Sequence, residues 1–222
     1  MHIYRLANEL ARRGHSVDVF YCEDSFVMLN GGEPTGSFPN HQNVNLHPLR
    51  SGFGMLSPLV TQQTGIPLFK GKLKRALSEG DYDVIHYNNM SLIGIAALSY
   101  GSAIKLYTAH EHWLVCPMHV LWKLNREVCT KKSCTTCQLS GKRPPQLWRY
   151  SGMMDRNLKY VDRFLSPSRF SIQKHLELGF DAPIQHLPYF LPKRADSKTV
   201  PLPTKFGERP FFLFVGRLEY IK

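Results

Sequence analysis

The sequence PFFLFVGRLEYIK covers residues 210–222 and gives the clearest indication of the fold. Phe211 to Val215 form a continuous apolar run, which is typical of a strand buried on both faces of a parallel sheet. A glycine and an arginine follow the run, and a lysine stands five residues after the arginine. A strand that leads into a Gly-Arg turn is one way for an α/β domain to begin a phosphate site, so this stretch predicts the first strand of such a domain.

The residues after this strand are candidates for binding a diphosphate: Gly216, Arg217 and Lys222. A guanidinium binds phosphate oxygens through its planar fork, whereas an ammonium acts as a point charge. The alternative is a solvated turn without a ligand, and the sequence leaves both interpretations open.

Before residue 210, predicted strands alternate with predicted helices along the chain. This alternation predicts an α/β, Rossmann-like fold, with a parallel sheet and helices on both of its faces. Residues 23–65 are rich in glycine and proline and predict a loop with one weak strand near 44–46. The predicted helices cover residues 1–13, 67–78, 92–100, 146–160 and 168–179, and the strands cover 16–21, 83–87, 104–108, 163–165 and 184–187.

The predicted organisation is a first domain over residues 1–187, a proline-containing linker over 188–209 and the first strand of a second domain over 210–222. Doubly wound domains usually begin with a strand and a Gly-rich turn, whereas this sequence begins inside a helix. We therefore expect the chain to be truncated at both ends.

The amino-acid composition excludes a disordered protein and limits the classes of binding partner. The 222 residues are 43% hydrophobic and 12% aromatic, and 28 Lys and Arg stand against 17 Asp and Glu. The net charge of +11 suits nucleic acid, anionic lipid or a phosphorylated substrate, or serves only to solubilise the surface. The sequence shows no apolar run of about 18 residues and no signal peptide, which predicts a cytoplasmic protein with reduced cysteines.

Polar residues lie at the end of the predicted strand at 83–87 and just after it. Parallel sheets bind ligands beyond the carboxyl ends of their strands, so His86 and Asn88 are candidates for a sugar site. The alternative is that His86 caps the strand and that the asparagines only shape the turn.

The strand at 104–108 is followed by a second candidate set, His110, Glu111, His112 and Trp113. Residues two apart share a face of an extended segment, so the two histidines are expected to point together. They would bind a metal, orient a sugar, act as acid or base, or serve only as hydrogen-bonded structural residues. Trp113 offers an apolar plane for a sugar ring.

A Cys-rich insertion covers about residues 111–145. Cys116, Cys129, Cys134 and Cys137 follow a C-x12-C-x4-C-x2-C pattern, in which the last pair matches one knuckle of a tetrahedral zinc site. An iron–sulfur cluster, unliganded thiols and disulfides are the alternatives. Cys22 stands apart and is expected to be a small buried apolar residue.

Four stretches together resemble the retaining, nucleotide-sugar-dependent glycosyltransferases of family 4, which have the GT-B fold. The resemblance spans nearly the whole chain, and the order and spacing of the stretches make it fairly specific. They are residues 2–19, 83–86, 162–168 and 212–218 together with Lys222.

The resemblance implies that residues 1–187 are the acceptor-side domain and that residues 210–222 begin the donor-binding domain. It implies that His110 contacts the transferred sugar, while Arg217 and Lys222 neutralise the departing nucleoside diphosphate. The enzyme would move a sugar from a nucleotide-sugar donor to a glycan or lipid-linked acceptor in polysaccharide biosynthesis. It would need no metal for catalysis, and this chain alone is expected to be inactive.

Three further interpretations remain. The helix with Lys70, Lys72, Lys74 and Arg75 would rest on anionic lipid at the inner membrane face, or be an ordinary solvated face. A non-catalytic zinc-bearing module would hold nucleic acid, although scattered basic residues argue against nucleic acid as a partner. Another GT-B-like enzyme, such as an epimerase or phosphorylase, is the last alternative.

Overall fold

A computed structural model describes residues 2–32, 36 and 38–191 of the chain. Most of the predicted linker and all of the predicted strand at 210–222, including Gly216, Arg217 and Lys222, lie outside these residues. The described residues from His2 to Tyr189 belong to one compact unit.

Helices and strands alternate along this unit. The helices are α1 His2–Arg12, α2 Glu23–Asn30, α3 Leu56–Thr64, α4 Lys70–Glu79, α5 Cys134–Ser140, α6 Met153–Leu158 and α7 Arg169–Glu177. The strands are β1 Val17–Cys22, β2 Val44–Leu49, β3 Val84–Asn88, β4 Ile104–Thr108, β5 Trp122–Lys123, β6 Glu127–Val128, β7 Arg163–Ser166 and β8 Ile184–His186. Short 3-10 turns cover Met90–Leu92, Ile95–Ser99 and Leu147–Tyr150.

The long strands are parallel, which confirms the predicted α/β class. β1 pairs with β2, and the other strands form a sheet in the order β3-β4-β7-β8. The parallel strands of the described residues thus lie in two sheets, one of two strands and one of four. The Tyr82 hydroxyl donates a 2.7 Å hydrogen bond to Asp18 on β1, which ties the two sheets together. β5 and β6 form a separate antiparallel hairpin.

The prediction that residues 23–65 are mostly loop is wrong, because α2 and α3 lie within them. The start of α2 is stabilised by contacts distant in sequence. Glu23 is buried and binds the guanidinium of Arg50, and the Asp24 carboxylate accepts a hydrogen bond from the backbone N–H of Ser51. Such long-range contacts leave no local sequence pattern. The glycines and prolines of this segment do, and they favour the prediction of a loop.

Two predicted helices are broken at glycines. The helix predicted over 92–100 is a pair of 3-10 turns, because Gly94 has a φ of 88° between them. A Cβ at Gly94 would lie 2.6 Å from the carbonyl oxygen of Gly65, so no larger residue fits this close approach. The helix predicted over 146–160 is likewise divided at Gly152, which has a φ of 70°.

The core lies between the helices and the four-stranded sheet. Leu73 and Leu77 of α4 belong to it, at the four-residue spacing of one helix face, together with Phe69 just before the helix. Ser168 caps α7, because its hydroxyl accepts a hydrogen bond from the backbone N–H of Ser171. The described residues include no helix long and apolar enough to cross a membrane.

Candidate functional site

The carboxyl ends of β3 and β4 lie side by side and define the candidate site. Their parallel register pairs Asn88 with Thr108, so the residues that follow each strand emerge at the same edge of the sheet. The structure therefore brings together His86, Asn88 and His110, which were separate candidates in the sequence. The positive φ of 48° at Asn89 turns the chain sharply after β3.

The ring of His110 is held from both of its nitrogens. Its Nε2 lies 2.6 Å from the side-chain oxygen of Asn88, and its Nδ1 lies 2.6 Å from the hydroxyl of Tyr189. An amide oxygen can only accept, so Nε2 carries the proton and Nδ1 accepts from the tyrosine hydroxyl. These two bonds fix both the orientation and the tautomer of the ring.

The buried surroundings keep both histidines of the site neutral. Burial, with a smaller contribution from the nearby His2, lowers the pKa of His110 to about 4. Burial also lowers the pKa of His86 to about 4, again with a contribution from His2. The Nε2 of His86 lies 2.7 Å from the Thr108 hydroxyl. At neutral pH the site thus presents hydrogen-bonding imidazoles without positive charge.

The lowered pKa values predict that acid destabilises the fold. Each pKa is about 4 in the folded state and near its usual 6.5 in the unfolded chain. The unfolded state therefore binds more protons between these values, so stability falls as pH decreases from about 6.5 to about 4. Both rings are partly exposed to solvent, which reduces the effect. Between about pH 6.5 and about pH 4, we expect the two histidines together to lower the free energy of unfolding by about 3 kcal/mol.

Denaturant titrations across this pH range would measure the effect. The double variant His86→Gln, His110→Gln should show a shallower loss of stability with acid than the wild type. The control variant His15→Gln, which changes an exposed histidine outside the site, should keep the wild-type slope. Equal slopes for the wild type and the double variant would contradict the prediction.

Glu111 and His112 face different neighbours from His110. The carboxylate of Glu111 lies 2.8 Å from Nδ1 of His119, a hydrogen bond within the turn that follows the site. The ring of His112 stacks on the buried His175 with 5.4 Å between centroids. The expectation that His110 and His112 point together is therefore corrected, because the two rings contact different neighbours.

Trp113 is a core residue and offers no face to a sugar. Its side chain is 2% exposed, and the guanidinium of Arg149 lies 5.0 Å from its ring centroid. Trp148 packs against it with 6.2 Å between centroids. The predicted role of Trp113 as a sugar platform is therefore wrong.

The candidate metal ligands lie together, away from His110. Cys116, Cys129, Cys134 and Cys137 all line one cavity in the insertion, and all are free thiols. Among the described residues, no three His, Cys, Asp or Glu side chains are already arranged to hold a metal ion. Cys22 is half-buried at the end of β1 and contacts Ser25.

Sequence reasoning missed Tyr189 and His2. Tyr189 falls in the predicted linker, and its ring lies 5.6 Å from that of His110 and 4.4 Å from that of His2. Tyr189 is 79 residues from His110 in the sequence, so no local pattern connects them. Only the predicted sheet could have pointed to His2, because such a sheet places the N-terminus of α1 at the same edge as the carboxyl ends of the strands.

Comparison with known proteins gives one family. The family described as Glycosyltransferase Family 4 matches residues 1–190. Neither the curated proteins nor the solved structures give a significant match.

Proposed function

Because the chain belongs to glycosyltransferase family 4, we propose that it is the acceptor-side part of a retaining enzyme. This enzyme transfers a sugar from a nucleotide-sugar donor to a glycan or lipid-linked acceptor, in a pathway of polysaccharide synthesis. The family also places the chain among transferases of the GT-B fold, whose first domain has the α/β architecture described above.

The neutral His110, fixed at the carboxyl edge of the sheet, is the observation that carries the proposal. Glycosyl transfer passes through a transition state in which positive charge develops on the sugar ring. A protonated imidazole beside that ring would oppose the charge, whereas a neutral one can bind a sugar hydroxyl. Burial and the Asn88 and Tyr189 hydrogen bonds favour the neutral form.

The diphosphate would be held by other residues. Arg217 and Lys222 follow the predicted strand at 210–222, and we propose that they stabilise the negative charge of the leaving diphosphate. A pair of cations suffices for that task, so catalysis would need no metal.

A donor screen with the protein encoded by the complete gene tests the function. We expect acceptor-dependent release of a nucleoside diphosphate and a product that keeps the anomeric configuration of the donor. Conversion of the nucleotide sugar without an acceptor would indicate an epimerase instead. No turnover of any donor would favour a non-catalytic binding module.

We further propose that the surface around α4 contacts anionic lipid. Lys70, Lys72, Lys74 and Arg75 are exposed on α4, and the Lys72 ammonium lies 3.4 Å from the Arg50 carbonyl oxygen. The segment after Arg50 exposes a group of large apolar side chains, each between 46% and 65% accessible. They are Phe53, Met55, Leu56 and Leu59. Apolar side chains beside a cationic helix are typical of proteins that rest on a membrane surface.

Vesicle sedimentation should show this contact. We expect the chain to bind vesicles that contain phosphatidylglycerol and to bind pure phosphatidylcholine at least tenfold more weakly, since each cation near an anionic surface contributes about 1 kcal/mol. Changing the four α4 cations to glutamine should reduce binding by a similar factor. Changing four exposed cations elsewhere to glutamine serves as the charge-matched control: Arg12, Arg13, Lys159 and Arg169. Equal losses in both variants would indicate attraction by net charge alone.

A further inference from the structure

Four cysteine thiols surround one small cavity, and no step of the proposed glycosyl transfer uses them. Cys116, Cys129, Cys134 and Cys137 line it together with neighbours that include Trp122 and Lys123. The cavity has a volume of about 20 Å³, which is enough for one ion or one water molecule. Its size and its sulfur lining therefore suit one ion better than an organic ligand.

The cysteines reach this cavity from separate parts of the insertion. Cys116 follows the turn after the candidate site, where its backbone N–H donates a 2.7 Å hydrogen bond to the His112 carbonyl. Cys129 follows the β5–β6 hairpin, and its N–H donates to the Leu121 carbonyl at 2.8 Å. Cys134 and Cys137 lie three residues apart in α5, so their side chains share one face of the helix.

The turn of the β5–β6 hairpin directs a backbone N–H group at the sulfur of Cys137. Leu124 and Asn125 have φ values of 52° and 57°, and the Arg126 N–H bonds the Lys123 carbonyl at 3.0 Å, which defines a type I′ turn. A leucine in this left-handed region is unfavourable. The turn brings the Leu124 N–H to 3.4 Å from Sγ of Cys137. Backbone N–H groups directed at sulfur stabilise thiolates and orient them as ligands.

Cations are placed to offset the charge of a thiolate cluster. Lys123 lines the cavity itself, and Lys132 lies two residues before Cys134 in the sequence. Lys123 also pairs with Glu127 at 3.5 Å. A divalent ion with four thiolates carries a net charge of about −2, and these side chains would balance it.

We propose that Cys116, Cys129, Cys134 and Cys137 bind one Zn²⁺ as a tetrahedral, four-thiolate structural site. Four soft sulfur ligands favour zinc or iron, and no catalytic step here needs a redox centre. The thiols line the cavity without yet converging on one point, so binding turns the side chains inward. Four S–H bonds break, four Zn–S bonds form, and four protons leave to solvent or buffer.

The site would hold in place a segment with little regular structure of its own. Between β4 and the 3-10 turn at Leu147–Tyr150, the chain forms only a hairpin of two-residue strands and the seven-residue α5. Cys116 lies six residues after His110. A metal bound there would therefore fix the turn that leads out of the candidate sugar site.

Metal analysis of the 222-residue chain, purified under reducing conditions without chelator, tests the proposal. We expect one zinc and no iron per chain. After the zinc is removed, titration with Co²⁺ should give a thiolate-to-cobalt charge-transfer band and tetrahedral ligand-field bands that saturate at one equivalent. Cys134→Ser and Cys137→Ser should weaken these bands, whereas the control Cys22→Ser should not.

The cobalt titration uses the wild-type chain, so the test holds even where a serine variant fails to fold. Zinc well below one equivalent, together with an octahedral cobalt spectrum, would overturn the proposal. So would stoichiometric iron with visible absorption, or a mass that shows disulfides in the purified chain. A thiol reagent adds an independent measurement: with metal bound only Cys22 should react rapidly, and after chelation all five cysteines should react.

Discussion

Replacing His110 by alanine should lower the kcat of the protein encoded by the complete gene by about 10²–10³-fold, with a much smaller change in KM. The proposed role of His110 is to bind a hydroxyl of the transferred sugar as charge develops in the transition state. Loss of one such preorganised group typically costs about 10²–10³ in rate. A larger fall in kcat than rise in KM is the signature of an interaction made mainly in the transition state.

Two further variants separate binding from positioning. Asn88→Ala removes the acceptor that fixes Nε2–H of His110, so we expect a smaller loss of kcat, because the ring remains but is less well oriented. His15→Ala changes an exposed histidine on the loop after α1 and serves as the control. Unchanged kcat in His110→Ala, with a normal fold by circular dichroism, would remove the proposed role.

Replacing Trp113 by alanine should lower the free energy of unfolding by about 3–5 kcal/mol, the range for deleting a buried tryptophan. Trp113 packs against Trp148, and the Arg149 guanidinium lies 5.0 Å from both ring centroids. Arg149 also donates a 2.8 Å hydrogen bond to the Trp113 carbonyl. Burial lowers the pKa of Arg149 to about 10, so this cation depends on the two rings and its hydrogen bonds for compensation. Truncating Trp113 leaves a cavity and also weakens the environment of a buried charge.

Urea denaturation followed by circular dichroism measures this loss. Trp113→Phe should cost clearly less than Trp113→Ala, because the described residues give Nε1 of Trp113 no hydrogen-bond partner to lose. Phe53→Ala, at an exposed aromatic, should change stability by less than about 0.5 kcal/mol. A cost below about 1 kcal/mol for Trp113→Ala would mean that the aromatic cluster is not part of the cooperative core.

The parallel strands and the position of the site were predictable because they depend on local pattern. The apolar runs that predict β3 and β4 are short and bounded by polar residues, and parallel pairing then places Asn88 and His110 at one edge. Side-chain directions after the strands were not predictable. They depend on backbone turns set by distant contacts, such as the bond between the His112 N–H and the His119 carbonyl.

The α/β class, the family resemblance and the candidate site residues all followed from the amino-acid sequence. Its alternating periodicities, polar strand ends and cysteine spacing are properties of neighbouring residues, so they can be read without coordinates. Only the tertiary structure decided which candidates meet. It joined His110 to Asn88 and Tyr189, buried Trp113 among aromatic side chains, and gathered four cysteines around one cavity. Burial and long-range hydrogen bonds arise only when distant segments pack, and those two effects set the charge and orientation of each side chain.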